Sequence, residues 1–215
     1  VMPEAGLDRA SFGLPEGRIL YLCMYDVRSV QARKNPLGAI EAYCRAFPRA
    51  GEHTALAVKV NGAEHAPEEL TELRRRLSGR EDVFLLSGSY SKGRIDALTA
   101  VCDVFVSLHR AEGFGLPIAE AMALGKAVVV TGWSGNMDFT SRENACCVGY
   151  RLCEVGAAAA EPYDAWQQWA EPDLEEAAEY LHRLAEDRPW RLALGAAGRR
   201  TIEERYSPLR CGEAM

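Results

Sequence analysis

The sequence predicts an α/β domain built on a doubly wound, Rossmann-like parallel sheet with additional terminal helices. Apolar runs of strand length alternate along the chain with segments whose apolar residues recur at intervals of three and four, the pattern of βα units on a parallel sheet. The composition agrees with this fold class. A chain of 215 residues with 48% hydrophobic and 26% charged residues has the balance of a globular domain with a sizeable core.

The alternation places strands and helices in order along the first two-thirds of the chain. The predicted strands are Ile19 to Tyr25, Ala55 to Val60, Val83 to Leu86, Asp103 to Leu108 and Ala127 to Thr131. The predicted helices are Pro36 to Phe47, Glu68 to Leu77, Lys92 to Ala100 and Pro117 to Leu124. Several of them open with Asn, Ser or Pro, which are favoured at helix N-termini.

The last third of the chain has a different pattern. Glu154 to Trp169 shows little apolar periodicity, whereas Pro172 to Arg205 is rich in Ala, Glu and Arg at helical spacing. Two terminal helices packed on the sheet are therefore predicted. We divide the chain into a linker or N-terminal extension at 1–17, a Rossmann-like domain at 18–170 and C-terminal helices at 171–215.

Charge and apolar run length exclude several classes of partner. A formal charge of −6 disfavours nucleic acid, which is bound by clustered Lys and Arg. No run approaches the roughly 18 to 20 apolar residues of a transmembrane segment. The chain begins at Val1 without a signal-peptide pattern. We therefore expect a piece of a longer cytoplasmic protein.

The seven cysteines do not have the spacing of a zinc site. They stand at positions 23, 44, 102, 146, 147, 153 and 211, without a Cys-x2-Cys pair and mostly within apolar runs. We expect small buried hydrophobes in a reducing compartment, and no metal site.

The loop after the fourth predicted strand is the strongest candidate for a ligand site, because ligands bind beyond the carboxyl ends of strands in open parallel sheets. It runs from His109 through Glu112, Gly113 and Gly115 to Glu120. The glycines allow close backbone approach, a helix N-terminus favours phosphate, and carboxylates accept hydrogen bonds from sugar hydroxyls. From the turn alone, a structural turn followed by a solvated helix carboxylate explains these residues equally well.

Several motifs in a fixed order extend this hypothesis to nearly the whole chain. They are Tyr25-Asp26-Val-Arg-Ser29-Val-Gln-Ala-Arg33-Lys34-Asn35-Pro36, Glu112-Gly-Phe-Gly-Leu-Pro-Ile-Ala-Glu120, Gly125-Lys-Ala-Val-Val-Val, Gly132-Trp-Ser-Gly135-Asn and Trp169-Ala-Glu-Pro-Asp173-Leu. From about Phe12 to Tyr206 the chain resembles the family 4 (group 1) glycosyltransferases of the GT-B fold. Their Glu-x7-Glu signature is the segment from Glu112 to Glu120.

The resemblance implies the C-terminal, donor-binding half of a retaining, metal-independent hexosyltransferase that acts in polysaccharide biosynthesis. The donor substrate would be a nucleotide-diphosphate sugar, without a cofactor, and UDP, GDP, ADP and dTDP donors all remain open. A glycan or lipid-linked acceptor would bind through a missing N-terminal domain, and peripheral association with the inner membrane through that domain stays open. This half alone is expected to bind nucleotide sugar weakly and to be poorly active.

The resemblance also implies residue roles. Lys34 would bind the donor diphosphate, and Glu120 the ribose hydroxyls. Glu112 would lie beside the transferred sugar, as a catalytic or an orienting carboxylate. The amide cradle for the phosphates would consist of Gly113, Phe114, Gly115 and Leu116. Tyr90 lies in a loop that resembles the base-contacting loop, although an N-cap at Ser91 explains that loop equally well.

The first strand is followed by Tyr25-Asp26, where many relatives have Gly-Arg with the arginine on phosphate. Arg28 or Arg33 would then have to replace that arginine, and a solvated Arg33-Lys34 pair is the alternative. We interpret Lys59 as a surface lysine with its head in solvent. His109 is interpreted as a wall of the site or a hydrogen-bonded histidine at a strand end.

Other nucleotide-binding classes lack their motifs. The first βα turn contains no Gly-x-Gly-x-x-Gly, and Gly125-Lys126 is followed by Ala127 without the upstream glycine of a P-loop. The alternative that stays open is a non-catalytic domain of the same fold that binds nucleotide sugar or a partner.

Overall fold

The sheet predicted from the sequence is confirmed and contains one strand more than expected. A computed structural model describes residues 1–51, 53–158 and 163–206. Six parallel strands lie in the order β3-β2-β1-β4-β5-β6. They are β1 (Ile19–Asp26), β2 (Thr54–Asn61), β3 (Val83–Leu86), β4 (Val104–Ser107), β5 (Ala127–Thr131) and β6 (Cys146–Val148). The strand order reverses between β1 and β4, which is where an open parallel sheet forms a ligand crevice.

Seven helices and a hairpin complete the described fold. The helices are α1 (Gln31–Lys34), α2 (Pro36–Ala46), α3 (Pro67–Arg76), α4 (Lys92–Val101), α5 (Leu116–Ala123), α6 (Leu174–Glu186) and α7 (Arg188–Arg205). The antiparallel hairpin consists of β7 (Tyr150–Glu154) and β8 (Gln168–Pro172). The two terminal helices are thus confirmed, whereas β6 and the hairpin were not predicted.

The sheet separates two cores because successive strand side chains point to opposite faces. Tyr21, Cys23 and Tyr25 of β1 pack into the core that contains α2, α3 and α6. Leu20 and Leu22 pack into the core on the opposite face, with α4 and α5. Burial on both faces explains why the strands appear in the sequence as continuous apolar runs.

Helix starts follow the capping chemistry that the sequence predicts. Asp173 accepts hydrogen bonds from the amides of Glu175 and Glu176 at the start of α6, and Asp187 accepts one from Trp190 in α7. Ser91 accepts one from Arg94 and is the N-cap of α4, as one of the two interpretations of that loop proposed. Helix α5 begins one residue before Pro117.

The segment at 1–17 packs on the body of the domain. Phe12 and Leu14 are buried with α4 and α5, and the Arg9 guanidinium donates to Asp103 at 2.8 Å and to the carbonyl of Val101 at 3.0 Å. At the other end, residues 207–215, including Cys211, lie outside the described residues.

The described cysteines are all free thiols, and four of them, Cys23, Cys102, Cys146 and Cys147, are buried. Cys146 and Cys147 are adjacent in β6 yet belong to different cores.

Gly195 lets α7 approach the loop before β5 closely. A Cβ atom at Gly195 would lie 2.2 Å from the carbonyl oxygen of Gly125, a backbone atom that cannot rotate away. We expect Gly195→Ala to destabilise the fold by about 1–3 kcal/mol or more, although alanine favours helices by about 1 kcal/mol. Urea unfolding measures the change. The matched control is Gly93→Ala in α4, where a Cβ would meet neighbours no closer than 3.5 Å; equal stabilities of the two variants would contradict the packing argument.

Candidate functional site

The candidate site lies where the loops after β1 and β4 meet, and hydrogen bonds fix these loops to each other. The amide of Arg110 donates to the carbonyl of Arg33 at 2.8 Å, and the Arg110 guanidinium donates to the carbonyl of Ala32. The Arg33 guanidinium donates back to the carbonyl of Ala111 at 2.9 Å. The backbone on both sides of the crevice is therefore held in one arrangement.

Asn35 is the buried link beneath these loops. Its backbone adopts a left-handed conformation with φ of 50°, which Asn tolerates better than most residues. Its side-chain amide donates to the carbonyl of Leu108 at 2.9 Å, while its side-chain oxygen accepts from the amide of Gly38 at the start of α2. This single side chain caps a helix and joins the loop after β1 to the end of β4.

The structure brings three predicted site residues together. Lys34 Nζ contacts Glu112 Oε2 directly, and Arg33 Nη1 lies 3.6 Å from the same oxygen. All three side chains are less than one-quarter exposed, and the contact holds the predicted diphosphate cation beside the predicted sugar carboxylate. The solvated-pair interpretation of Arg33 and Lys34 is therefore wrong.

The predicted amide cradle surrounds the start of α5. Gly115 has φ of 90° and precedes the helix without a side-chain cap. Among the described residues, the amides of Gly113, Phe114, Gly115 and Leu116 have no hydrogen-bond acceptor. Phe114 packs on Phe139 with ring centroids 5.0 Å apart. The first turn of α5 thus presents donors and a partial positive charge to a ligand.

Gly135 fits the loop after β5 against this turn. Its amide donates to the carbonyl of Glu112 at 3.1 Å, and a Cβ at this position would lie 1.7 Å from the carbonyl oxygen of Gly113. Only a residue without a side chain allows the two loops to touch here.

His109 is buried and hydrogen-bonded, in agreement with its interpretation as a strand-end histidine. Its Nδ1 lies 3.0 Å from Ser107 Oγ, and its Nε2 lies 3.0 Å from Asn136 Oδ1 and 3.2 Å from the carbonyl of Trp133. Asn136 donates its amide to the carbonyl of Thr131 at 3.1 Å, which fixes its oxygen as the acceptor toward His109. A neutral imidazole with its proton on Nε2 satisfies every partner.

The burial of His109 predicts a pH dependence of stability. Burial lowers the pKa of His109 below its usual 6.5, against the effect of its hydrogen bonds. The unfolded chain protonates this histidine more readily than the folded chain does. The contribution of neutral His109 to the free energy of unfolding is therefore complete above about pH 6.5 and is lost as the pH falls below that value. We expect the Tm to fall more between about pH 7.5 and 5.5 in the wild type than in His109→Gln. Scanning calorimetry tests this, and parallel pH profiles would rule it out.

Glu120 lies in a second charged cluster. Its Oε1 is 2.9 Å from Lys92 Nζ, which also contacts the buried carboxylate of Asp96. Burial opposes the charge of Lys92, but the hydrogen bonds to Asp96 and Glu120 outweigh it and raise the pKa of the lysine. Tyr90 lies two residues before Lys92, so the predicted ribose carboxylate and the predicted base-contacting loop share this cluster.

The interpretation of Lys59 as a surface lysine is wrong. Its side chain is fully buried, its ammonium donates to the carbonyls of Gly88 at 2.7 Å and Val60 at 3.1 Å, and it lies 4.4 Å from the ring centroid of Tyr90. Burial lowers the pKa of Lys59. The lysine therefore holds the loop at Gly88 and Tyr90 from beneath.

The two candidates for the missing phosphate arginine occupy different positions. Arg28 is exposed and makes a bidentate ion pair with Asp26, two residues earlier in the sequence. Arg33 faces the Glu112 loop. This position makes Arg33 the better candidate for the phosphate-binding arginine, and that role stays a prediction.

Sequence reasoning missed Arg110 as a linking residue. Its guanidinium forms a two-point ion pair with Glu171 of β8, with contacts of 2.6 and 3.0 Å, and its carbonyl accepts from the amide of Ala170 at 3.0 Å. Bonds to backbone carbonyls leave no sequence pattern; the only signal was an arginine next to the Glu112 motif. Through Arg110 the hairpin is attached to the loops of the site.

Removing Arg110 should loosen the hairpin. We expect Arg110→Ala to cost about 1–3 kcal/mol, because a partly buried ion pair and the hydrogen bond to Ala32 are lost together. It should also accelerate hydrogen exchange at the Ala170 amide. The control is Arg75→Ala, whose pair with Glu72 is exposed and should change stability by less than about 0.5 kcal/mol. Unchanged exchange at Ala170 would contradict the role of Arg110.

The family model of glycosyl transferases group 1 matches residues 7–150. The chain belongs to this family. No curated protein matches this chain significantly.

Among solved structures, Anabaena Alr3699/HepE in complex with UDP-glucose superposes with a TM-score of 0.71 at 17% identity, over 96% of this chain and 49% of that one. WaaG, a glycosyltransferase involved in lipopolysaccharide biosynthesis, gives 0.66 at 21% identity, over 96% and 48%. The chain thus spans about half the length of these two proteins.

The C-terminal domain of LpcC from Francisella tularensis gives 0.65 at 18% identity and is covered over 96% of both chains. At such identities the likeness establishes the fold alone, a Rossmann-like parallel sheet of the kind found in the C-terminal domain of LpcC.

Two features were sought in the described residues, a membrane-spanning helix and a metal-binding cluster. None of the helices there is long and apolar enough to cross a membrane. In the same residues, no three side chains of His, Cys, Asp or Glu converge on a metal position.

Proposed function

We propose that this chain is the donor-binding half of a retaining hexosyltransferase that transfers a sugar from a nucleotide diphosphate to a glycan or lipid-linked acceptor. The observation that carries the proposal is the contact of Lys34 and Arg33 with Glu112, beside the open amides at the start of α5. Two cations and a helix N-terminus suit a diphosphate, and a carboxylate next to them suits the attached sugar.

The arrangement assigns a role to each part of the donor. The diphosphate would compete with Glu112 for the Lys34 ammonium and accept hydrogen bonds from the amides of Gly113 to Leu116. In the transfer step the acceptor hydroxyl would attack the anomeric carbon from the face that the nucleoside diphosphate leaves, which retains the configuration, and its proton would pass to the departing phosphate. Lys34 and the helix N-terminus would stabilise the charge that develops on the leaving phosphate. Glu112 would stabilise the positive charge on the sugar or orient a hydroxyl.

The nucleoside would lie along the Glu120 cluster. Glu120 would accept hydrogen bonds from the ribose hydroxyls after release from Lys92, and Tyr90, supported by Lys59, would contact the base. In the proposed mechanism Lys34 and Arg33 neutralise the charge of the diphosphate.

Two carboxylate variants should separate these roles. Glu120→Ala should weaken binding of nucleotide and nucleotide sugar alike by about tenfold or more, because a charge-assisted hydrogen bond contributes about 1.5–3 kcal/mol. Glu112→Ala should weaken the nucleotide sugar relative to the nucleotide alone, because the variant loses the contact with the sugar while it frees Lys34 for the diphosphate of both ligands. Calorimetric titration with UDP, GDP, ADP, dTDP and their sugar conjugates measures both and identifies the base.

The matched control is Glu203→Ala, which removes an exposed carboxylate from α7 and should bind like the wild type. Equal losses for both ligands in both variants would contradict the assignment. If no nucleotide binds to the chain or to a longer protein that contains it, the alternative of a non-catalytic domain gains support. Since the chain spans half of its relatives, we expect weak binding and little turnover by the chain alone.

A further inference from the structure

A groove beside the site, at the end of the β7–β8 hairpin, has not yet been assigned a ligand. Its volume is about 580 Å³, within the range of small-molecule sites. The residues that line it are Ala111, Tyr163, Trp166, Gln167, Gln168 and Trp169. Ala111 directly precedes Glu112, so the groove adjoins the carboxylate that we place at the transferred sugar.

The aromatic side chains of the groove differ in exposure. Trp166 is 74% exposed, which is unusual for so large an apolar surface. Trp169 is buried beneath and packs edge-on against Tyr163 with ring centroids 5.4 Å apart. The buried residues hold the wall in place, and Trp166 offers a flat face to a ligand.

The polar groups of the groove are uncharged. Gln167 accepts from the amide of Asp164 at 3.2 Å, which leaves its side-chain amide as a donor, and Gln168 is exposed. The indole N–H of Trp169 has no acceptor within the described part of the chain. No cation is among the described residues that line the groove, so they do not suit a phosphate, whereas aromatic faces with carboxamides suit the apolar faces and hydroxyls of a neutral sugar.

The position of the groove is fixed relative to the site. The amide of Ala170 donates to the carbonyl of Arg110, and the Arg110 guanidinium pairs with Glu171. The hairpin therefore holds its aromatic residues next to the loop that carries Glu112. A molecule bound there would lie beside the reacting sugar, on a surface that lacks the cations required by the donor.

We propose that this groove binds an uncharged sugar ring of the acceptor glycan, with Trp166 as the stacking face. The inference rests on the proposed transferase function, whose acceptor side it specifies. It predicts an acceptor that presents a neutral saccharide unit to this half of the enzyme.

The test uses the 215-residue chain and short neutral oligosaccharides of glucose, galactose, mannose or N-acetylglucosamine on an array. Those that bind are then titrated by calorimetry, a readout that does not depend on Trp166 itself. We expect Trp166→Ala to weaken binding roughly three- to tenfold, and Trp166→Phe, which keeps a flat ring, to retain most of it. The control Leu192→Ala removes an exposed apolar side chain from α7 and should have no effect. Titration of each variant with UDP tests whether the donor site is intact. Thermal unfolding of each variant tests whether it folds like the wild type.

The outcomes separate this inference from the proposed function. Nucleotide binding without any Trp166-dependent binding of oligosaccharide would overturn the groove assignment, and the groove would then be a contact surface for another protein or domain. Trp166-dependent oligosaccharide binding without nucleotide binding by the chain, or by a longer protein that contains it, would keep the carbohydrate site but overturn its role as an acceptor site, together with the proposed function.

Discussion

The candidate site depends on the hydrogen bonds that join the loops after β1 and β4. The chain turns away in opposite directions from these two strands, so the backbone groups at their ends have no partners within the sheet. The side chain of Asn35 and the guanidinium groups of Arg33 and Arg110 supply those partners. Unpaired backbone groups are costly when buried, so the crevice keeps its shape without a ligand.

The charges in the crevice are arranged as pairs that a ligand can exchange. Lys34 is held by Glu112, and Lys92 by Glu120 and Asp96. Each pair compensates the partial burial of its charges. A nucleotide diphosphate would replace a carboxylate as the partner of Lys34, while ribose hydroxyls would replace Lys92 at Glu120. Binding would thus replace one set of contacts by another, which limits the net free energy of nucleotide binding.

Structural features could be predicted from the sequence where burial or helix capping acts on residues that are close together along the chain. Strands buried on both faces appear as apolar runs, and Asp173 marks a helix start because its side chain bonds to amides within the same turn. Lys34 and Glu112 were assigned to the site through the resemblance to the family, and their direct contact was not predicted. Lys59 could not be placed in this way, since its main partner is a carbonyl at Gly88, on another strand's loop.

The hairpin escaped prediction for a related reason. The side chains of β7 are mostly exposed, so its pattern lacks the apolar alternation of a core strand. Its position depends on Arg110, which bonds to carbonyls of α1 and to Glu171 far along the chain. Neither contact has a signature in the residues around it.

The distribution of the thiols between two cores determines how the protein can be labelled. Cys146 and Cys147 point to opposite faces of β6, and burial raises the pKa of Cys23, Cys102 and Cys146 to about 12. Thiolate, the reactive form, is therefore scarce at these positions at neutral pH. Of the described cysteines only Cys44 and Cys153 are partly accessible. A cysteine introduced at the rim of the hairpin would react ahead of the buried ones, and replacing Cys44, Cys153 and Cys211, which lies outside the described residues, would leave it as the preferred attachment point for a fluorophore.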